Sequence, residues 1–157
     1  MLRIRIVVVD RTRSGFLKQG ESFYLERLRK YVQVEWVEVK PAKIPEEKRA
    51  EELLAVEAER ISRKIGPQDY LVSLDRSGRQ YHSEGLASWV QTLTDRGERC
   101  VTFAIGGSLG LSKELLQRSQ EVLSLSRLTF THEMSRLIFL EQLYRAFTIL
   151  RGEKYHK

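Results

Sequence analysis

Residues 100–112 read CVTFAIGGSLGLS, and this short run carries the clearest sign of the architecture. Its first six residues have the apolar, β-branched character of a buried strand, and they pass directly into the glycine loop 106–110. Ser112 then has the side chain of a helix N-cap, with Leu111 and Leu116 placed to form a hydrophobic staple. A strand that turns through glycines into a helix is the repeating unit of α/β domains.

The same alternation of strands and helices extends along the chain in both directions from this run. It predicts an α/β domain with a mainly parallel sheet flanked by helices. The run 32–39 is partly polar and ends at Pro41 and Pro45, so we expect it near an edge of the sheet. The other strands are predicted at 2–10, 70–75, 100–105 and 121–125, with a turn at 76–79, and the helices at 14–31, 46–65, from 83, from 112 and at 133–150.

Length and composition limit the class of protein. A chain of 157 residues with 41% hydrophobic and 31% charged residues can form a hydrophobic core, and we expect a single domain over residues 1–157. Its single cysteine, Cys100, cannot form an intramolecular disulfide, and no apolar run approaches about 18 residues. We therefore expect a cytoplasmic protein that neither spans a membrane nor is exported.

The positive charge is concentrated towards the C-terminal end. Residues 127–157 contain six Lys or Arg against three Glu, and they hold half of the net charge of +6. A basic end of this kind suits an anionic partner such as RNA, although a solvated helix face would look the same.

The predicted helix 133–150 is apolar around nearly its whole circumference. One face of a sheet cannot cover such a helix, so it needs a second surface. In so small a domain the simplest second surface is another copy of the chain, and we expect a homodimer built on this helix. The apolar positions are Met134, Leu137, Ile138, Phe139, Leu140, Leu143, Tyr144, Ala146, Phe147 and Ile149.

Three predicted strands end near Leu74, Gly107 and Ser126. In open parallel sheets ligands bind beyond the carboxyl ends of the strands, so these three ends predict one pocket. The glycine loop is neither a dinucleotide fingerprint nor a P-loop, and a tight turn that needs glycine would also explain it. The loop 126–131 offers backbone groups and hydroxyls but little charge, which suits a neutral adenine ring better than a phosphate.

Five segments, in order along nearly the whole chain, resemble a known family. They are VSLDRSGRQ at 72–80, FAIGGSLGLS at 103–112, LSLSRLTFTHEMSRL at 123–137, EQLYRAFTILRG at 141–152 and YHK at 155–157. They are similar to the small bacterial SPOUT methyltransferases that modify N3 of a pseudouridine in 23S rRNA of the large ribosomal subunit. The resemblance implies a C-terminal trefoil knot, a homodimer packed through the last helix, and S-adenosylmethionine as methyl donor.

The resemblance also implies roles for individual residues. Gly106 is expected to serve mainly the turn. Thr131 stands where the family usually has proline, which is expected to loosen the loop, and Asp10-Arg11 replaces a glycine-lysine pair. The S-adenosylmethionine pocket is expected to contain Leu74, Gly107, Ser126, Arg127, Leu128, Thr129, Phe130 and Thr131, and the rRNA-facing residues are expected to be His132, Arg145, Tyr155, His156 and Lys157.

Plain structural explanations exist for the same rRNA-facing residues. His132 could cap the last helix, Arg145 could pair with Glu141 four positions earlier, and the final residues could fray. An aromatic side chain followed by two cationisable groups nevertheless suits contact with RNA.

The reaction that the resemblance implies is an in-line displacement, in which N3 of the nucleobase attacks the methyl group of a sulfonium. His156 is the candidate acceptor of the N3 proton, because imidazole readily exchanges protons near neutral pH. We expect the substrate to be rRNA presented in the assembled ribosome, and we expect no metal. Two alternatives stay open: a methyltransferase of this family that acts on another RNA such as tRNA, and a nonenzymatic RNA-binding module.

Overall fold

The computed structural model describes residues 2–43 and 49–157. The strands are β1 (Arg3–Val9), β2 (Gln33–Val39), β3 (Tyr70–Arg79), β4 (Cys100–Ile105) and β5 (Glu121–Leu123). They form one sheet in the order β2-β1-β4-β3-β5, and every neighbouring pair is parallel. The predicted parallel sheet is therefore confirmed, and β2 lies at an edge as predicted. The knot implied by the resemblance stays a prediction.

Helices cover both faces of this sheet. The described helices are α1 (Gly15–Leu28), α2 (Ala50–Ser62), α3 (Ser83–Asp95), α4 (Lys113–Arg118) and α5 (His132–Leu150). Residues Ile4, Ile6 and Val8 of β1 pack with α1, α3 and α5, while Val7 and Val9 pack with α2 and α4 on the opposite face. Because both faces are covered, β4 is buried along its whole length. Within the described ranges, no helix is both long and apolar enough to cross a membrane.

The predicted start of α2 and the predicted end of β3 are not both matched by the structure. The start of the helix predicted at 46–65 lies outside the described residues. β3 continues to Arg79 instead of ending at Asp75, because residues 75–78 leave the hydrogen-bonded ladder and Arg79 rejoins it opposite Leu123.

α5 is covered in part by elements of its own chain. It lies between α1 and α3, and its underside rests on the sheet, where the rings of Phe139 and Phe103 are 4.8 Å apart. Phe139, Leu140 and Leu143 are fully buried as a result. α1 and α3 thus supply part of the second surface that the sequence predicts, while Met134, Leu137, Ile138, Tyr144 and Ile149 remain half-buried in the single chain. The homodimer itself stays a prediction.

Asp10 ends β1 in a backbone conformation that usually requires glycine. Its φ is +72°, in the left-handed region, at the position where the resembling family has glycine. The Asp10 carboxylate accepts hydrogen bonds from the N–H of Arg11 at 2.8 Å and from the guanidinium of Arg13 at 3.1 Å. Burial acts to raise the pKa of Asp10, but these hydrogen bonds outweigh it and the pKa is lowered.

We expect Asp10→Ala to lower the free energy of unfolding by about 1–2 kcal/mol, because alanine keeps the strained backbone and loses both hydrogen bonds. Asp10→Gly is the matched variant, since it loses the same bonds but relieves the strain, and its loss should stay within about 0.5 kcal/mol. Urea denaturation of the two variants makes the comparison. Equal stabilities would show that backbone strain at this position is unimportant.

Candidate functional site

A cavity of about 790 Å³ opens at the carboxyl ends of β3, β4 and β5. This volume lies within the roughly 300–1,000 Å³ typical of small-molecule sites. The structure brings together the strand ends from which one pocket was predicted. The expected cofactor residues that line the cavity are Leu74, Gly107, Ser126, Leu128, Thr129, Phe130 and Thr131. Arg127, the eighth, is exposed and is not among the lining residues.

The glycine loop 106–110 forms the wall that follows β4. The N–H of Gly110 donates to the carbonyl of Gly107 at 3.0 Å and closes the loop, with Gly110 at a φ of +80°. A Cβ on Gly106 would overlap the carbonyl group of Gly110 and lie 2.9 Å from its Cα. A Cβ on Gly107 would instead lie 3.2 Å from Cγ1 of Val9. Two backbone segments therefore meet at Gly106, which agrees with the turn role expected of it.

The loop 126–131 is held by hydroxyl groups. The Ser126 hydroxyl accepts from the N–H of Leu128 at 3.0 Å. At the other end, the Thr131 hydroxyl accepts from the N–H of Met134 at 3.2 Å and caps α5. The Thr131 hydroxyl thus joins the end of the loop to the first turn of α5, and the looser loop expected from the absence of proline stays a prediction. His132 is thus not the cap but the first residue of α5, where it lines the cavity.

Glu133 of α5, which is not among the site residues expected from the sequence, lies in the wall of the cavity formed by the starts of α1 and α5. Its Oε1 accepts from the N–H groups of Arg13 and Ser14 at 2.8 and 3.1 Å. These amides lie at the N-terminus of α1, where a negative charge is favourable. The hydrogen bond from Ser14 is the main reason that the pKa of Glu133 lies below its ordinary value. Because Ser14, Leu17 and Glu133 line the cavity, this contact fixes the start of α1 within its wall.

Arg136, one turn further along α5, is fully buried. Its guanidinium donates to the backbone carbonyl of Val9 and, at 3.0 Å, to the hydroxyl of Thr12. That hydroxyl donates in turn to the carboxylate of buried Glu21 at 2.6 Å. Burial lowers the pKa of Arg136 and raises the pKa of Glu21. These contacts tie the end of β1 and the first turns of α1 and α5 together beside the cavity.

A sequence signal could have found Arg136 but not Glu133. Arg136 precedes Phe139 and Leu140 by three and four positions, which places it on the buried face of α5, where a charge needs internal partners. Glu133 carries no such signal, because its partners are backbone amides. Asp75 and Arg76 also line the cavity, although from the sequence they are expected only at a strand end and in a turn.

Most of the residues expected to face rRNA meet at the far end of α5. Arg145 donates to Oε1 of Glu141 from Nε at 3.1 Å and from Nη2 at 2.6 Å, so the pair suggested by the spacing does form. The Tyr155 hydroxyl donates to the same oxygen at 3.0 Å, and the Arg145 guanidinium lies 4.8 Å from the centre of the Tyr155 ring. Burial, together with Tyr24 and Glu141, raises the pKa of Tyr155, so its hydroxyl stays a donor.

We call Glu141, Arg145, Tyr155 and His156 the C-terminal cluster. His156 belongs to it through both ring nitrogens. Nη1 of Arg145 lies 3.1 Å from Nδ1, and Oε1 of Glu84 lies 2.8 Å from Nε2. Because a guanidinium can only donate, Nδ1 is the acceptor, and Nε2 carries the hydrogen that Glu84 accepts. In this arrangement neither nitrogen of His156 is free to take a proton from a substrate.

The C-terminal cluster lies apart from the cavity. The Tyr31 hydroxyl donates to Glu153 at 2.7 Å, which is one contact of the otherwise largely exposed end of the chain, and Lys157 is exposed. Arg145 follows His132 by thirteen positions of α5, which corresponds to about 20 Å along a helix. Of the five residues expected to face rRNA, His132 alone lines the cavity.

Comparison with known proteins identifies relatives along the whole chain. A family model described as a predicted SPOUT methyltransferase matches residues 2–156. Proteins named "Ribosomal RNA large subunit methyltransferase H" from Carboxydothermus hydrogenoformans, Bacillus pumilus and Enterococcus faecalis are 42%, 41% and 41% identical to this chain. Each alignment covers 99% of this chain and 100% of the relative.

Two solved structures share the fold. A probable methylase family protein from Haemophilus influenzae superimposes with a TM-score of 0.55 at 16% identity, over 98% of this chain and 70% of that one. A probable methyltransferase from Bordetella pertussis superimposes with a TM-score of 0.58 at 13% identity, over 93% of this chain and 95% of that one. At these identities the two structures support the fold alone. The whole-length family match and the relatives at 41–42% identity confirm the resemblance, and the chain belongs to the SPOUT methyltransferase family.

Proposed function

We propose that this protein transfers a methyl group from S-adenosylmethionine to N3 of a pseudouridine in 23S rRNA, within the assembled ribosome of the cytoplasm. The proposal treats residues 1–157 as one domain with the trefoil knot of the family. The observation that carries it is the cavity at the strand ends, because seven of the eight residues expected to hold the cofactor line it. Relatives named as methyltransferases of large-subunit rRNA support rRNA as the acceptor.

The lining of the cavity fits the cofactor. Leu74, Leu125 and Phe130 offer apolar surface for an adenine ring, and the backbone groups of 126–131 can hydrogen-bond its edge. The bound cofactor would supply a methyl group on a positively charged sulfur, which is a good leaving group. The residues of this chain therefore have mainly to exclude water and to hold the target base in line, with the reacting atoms about 3–3.5 Å apart.

The distance between the cavity and the C-terminal cluster supports a homodimer through α5. If two α5 helices pair antiparallel, His132 of one protomer comes level with Arg145 of the other, and the gap of about 20 Å within one chain is closed. The neighbouring helix α1 presents the apolar surface that such an interface needs. Its Phe16 and Phe23, seven positions apart, are 69% and 45% exposed. Each active site would then combine the cavity of one protomer with the C-terminal cluster of its partner.

His156 remains our candidate for the acceptor of the N3 proton. Nδ1 accepts from Arg145 and Nε2 donates to Glu84 in the free chain, so the role requires Nδ1 to separate from Arg145 when the substrate binds. An rRNA phosphate that pairs with the Arg145 guanidinium would release Nδ1, the nitrogen with the free lone pair. His156→Ala should therefore lose methyl transfer while it keeps cofactor binding.

The proposed function is tested by incubating ribosomes with the protein and S-adenosylmethionine, followed by mass spectrometry of nucleosides from 23S rRNA. The expected product is N3-methylpseudouridine, formed on ribosomes and far less on naked rRNA. Methylation of tRNA instead would show that the acceptor is tRNA and not 23S rRNA. No cofactor binding in a calorimeter, together with no methylated RNA, would favour the nonenzymatic RNA-binding module.

A mixture of two inactive variants tests the shared active site. Gly107→Trp places a bulky side chain in the wall of the cavity, and His156→Ala removes the imidazole from the C-terminal cluster. A mixed dimer contains one site in which both elements are intact, provided that they come from different protomers, so mixing should restore part of the activity. Sedimentation of each variant checks that it forms dimers. Mixed dimers without restored activity would show that each chain builds its own site. A wild-type protein that sediments as a monomer would contradict the proposed homodimer.

A further inference from the structure

β3 leaves the sheet for four residues at the mouth of the cavity. Leu74 and Arg79 both pair with Leu123 of β5, so the residues between them stand outside the ladder. We call residues 75–78 the β3 loop. A parallel strand that departs and returns in this way holds a short loop at the edge where ligands bind.

The conformation of the β3 loop is held by its own hydrogen bonds and by its close approach to β5. The Asp75 carboxylate accepts hydrogen bonds from the N–H of Ser77 at 3.0 Å and from its hydroxyl. Gly78 passes so close to β5 that a Cβ there would lie 2.6 Å from the carbonyl carbon of Val122. The loop is thus pinned on both sides of Arg76, which lines the cavity and is exposed.

Arg76 carries a positive charge that forms no ion pair within the described part of the chain. Its guanidinium reaches across the cavity mouth to the Thr129 hydroxyl, at a long 3.4 Å. Among residues 2–43 and 49–157, no carboxylate forms an ion pair with it. The two acids that line the cavity are already engaged, Asp75 with Ser77 and Glu133 with the amides at the start of α1.

We propose that Arg76 binds an oxyanion at the mouth of the cavity. The inference rests on the proposed function, because that reaction brings two oxyanions to this point. One is the carboxylate of the amino-acid part of S-adenosylmethionine, and the other is a phosphate of the rRNA that covers the cavity. A guanidinium can donate two parallel hydrogen bonds to either group, and the long contact with Thr129 costs little to exchange.

Two cofactor analogues isolate the carboxylate contact. S-adenosylhomocysteine carries the carboxylate and 5′-methylthioadenosine lacks it. If Arg76 binds the cofactor, Arg76→Ala should weaken S-adenosylhomocysteine binding about five- to tenfold in a calorimeter and leave methylthioadenosine binding unchanged. Arg76→Lys keeps the charge and should recover part of the loss. Arg79→Ala is the matched control, because Arg79 is exposed at the end of the same loop but does not line the cavity.

Ribosome kinetics isolate the phosphate contact. If Arg76 binds rRNA, Arg76→Ala should leave binding of both analogues unchanged, raise KM for ribosomes about fivefold at constant kcat, and weaken the salt dependence of binding. Either pattern supports the proposal. An Arg76→Ala variant that matches Arg79→Ala in analogue binding and in ribosome KM overturns it. A wild-type protein that binds neither analogue and methylates no RNA overturns the proposed function as well, so the two failures can be told apart.

Discussion

Gly106→Ala is expected to weaken S-adenosylmethionine binding on the order of a hundredfold. The added Cβ would overlap the carbonyl group of Gly110, and both groups belong to backbone that closes the same loop. A side chain could rotate away, but backbone can yield only if the loop moves. Overpacking of this kind costs about 1–3 kcal/mol, and the upper end corresponds to a hundredfold in affinity if it falls on the binding-competent loop. Calorimetry with the purified variant measures the loss.

Gly107→Ala is the control for that prediction. A Cβ at Gly107 would lie 3.2 Å from Cγ1 of Val9, the tip of a side chain that can shift by a few tenths of an ångström. We expect it to lose less than about tenfold in affinity. A thermal unfolding curve for each variant separates a local effect on the loop from loss of the fold. Equal affinities of the two variants would show that the contact between Gly106 and Gly110 does not control the pocket.

Arg136→Met should lower the free energy of unfolding by about 3–5 kcal/mol, the usual cost of removing one partner from a buried charged network. Methionine can fill the space, but it leaves the Val9 carbonyl without its donor and the carboxylate of Glu21 without a nearby positive charge. Arg136→Lys keeps the charge and should recover part of the loss. Urea denaturation gives the free energy of unfolding for each variant.

A double variant shows whether the charge of Glu21 is the cause. Adding Glu21→Gln to Arg136→Met replaces the buried carboxylate with a neutral amide. The double variant should therefore lose less free energy of unfolding than the two single variants lose together, by a coupling of about 1–2 kcal/mol. If the losses of the two single variants were strictly additive, Arg136 and Glu21 would not be coupled in the buried network. Because Arg136 also holds the carbonyl of Val9, whose side chain lies next to Gly107, Arg136→Met should reduce cofactor affinity under conditions where it is still folded.

The predictions that succeeded depend on neighbours along the chain. The apolar run of β4 and the glycines after it mark a strand and a turn in any tertiary setting. Ser112 accepts a hydrogen bond from the N–H of Leu115 at 3.2 Å, a contact between residues three positions apart. The pocket at the strand ends follows from one further step, because parallel strands end at the same edge of their sheet.

The features that were missed depend on residues far apart in the chain. Glu133 bonds to amides about 120 positions earlier, and His156 reaches Glu84 on α3. The β3 loop looked like an ordinary turn, because the return of Arg79 to the ladder depends on Leu123 of another strand. The packing of α5 against α1 and α3 likewise depends on elements distant in the chain.

Hydrophobic periodicity, turn residues and caps are local properties, and from them the α/β architecture, the parallel sheet and the position of the pocket could be derived without coordinates. The family motifs added an expectation of which residues hold the cofactor. The partners of Arg136, Glu133, Arg76 and His156 could be learned only from the folded chain. A buried or cavity-facing charge is satisfied by whatever group the fold places within about 3 Å, and that placement depends on how distant elements pack.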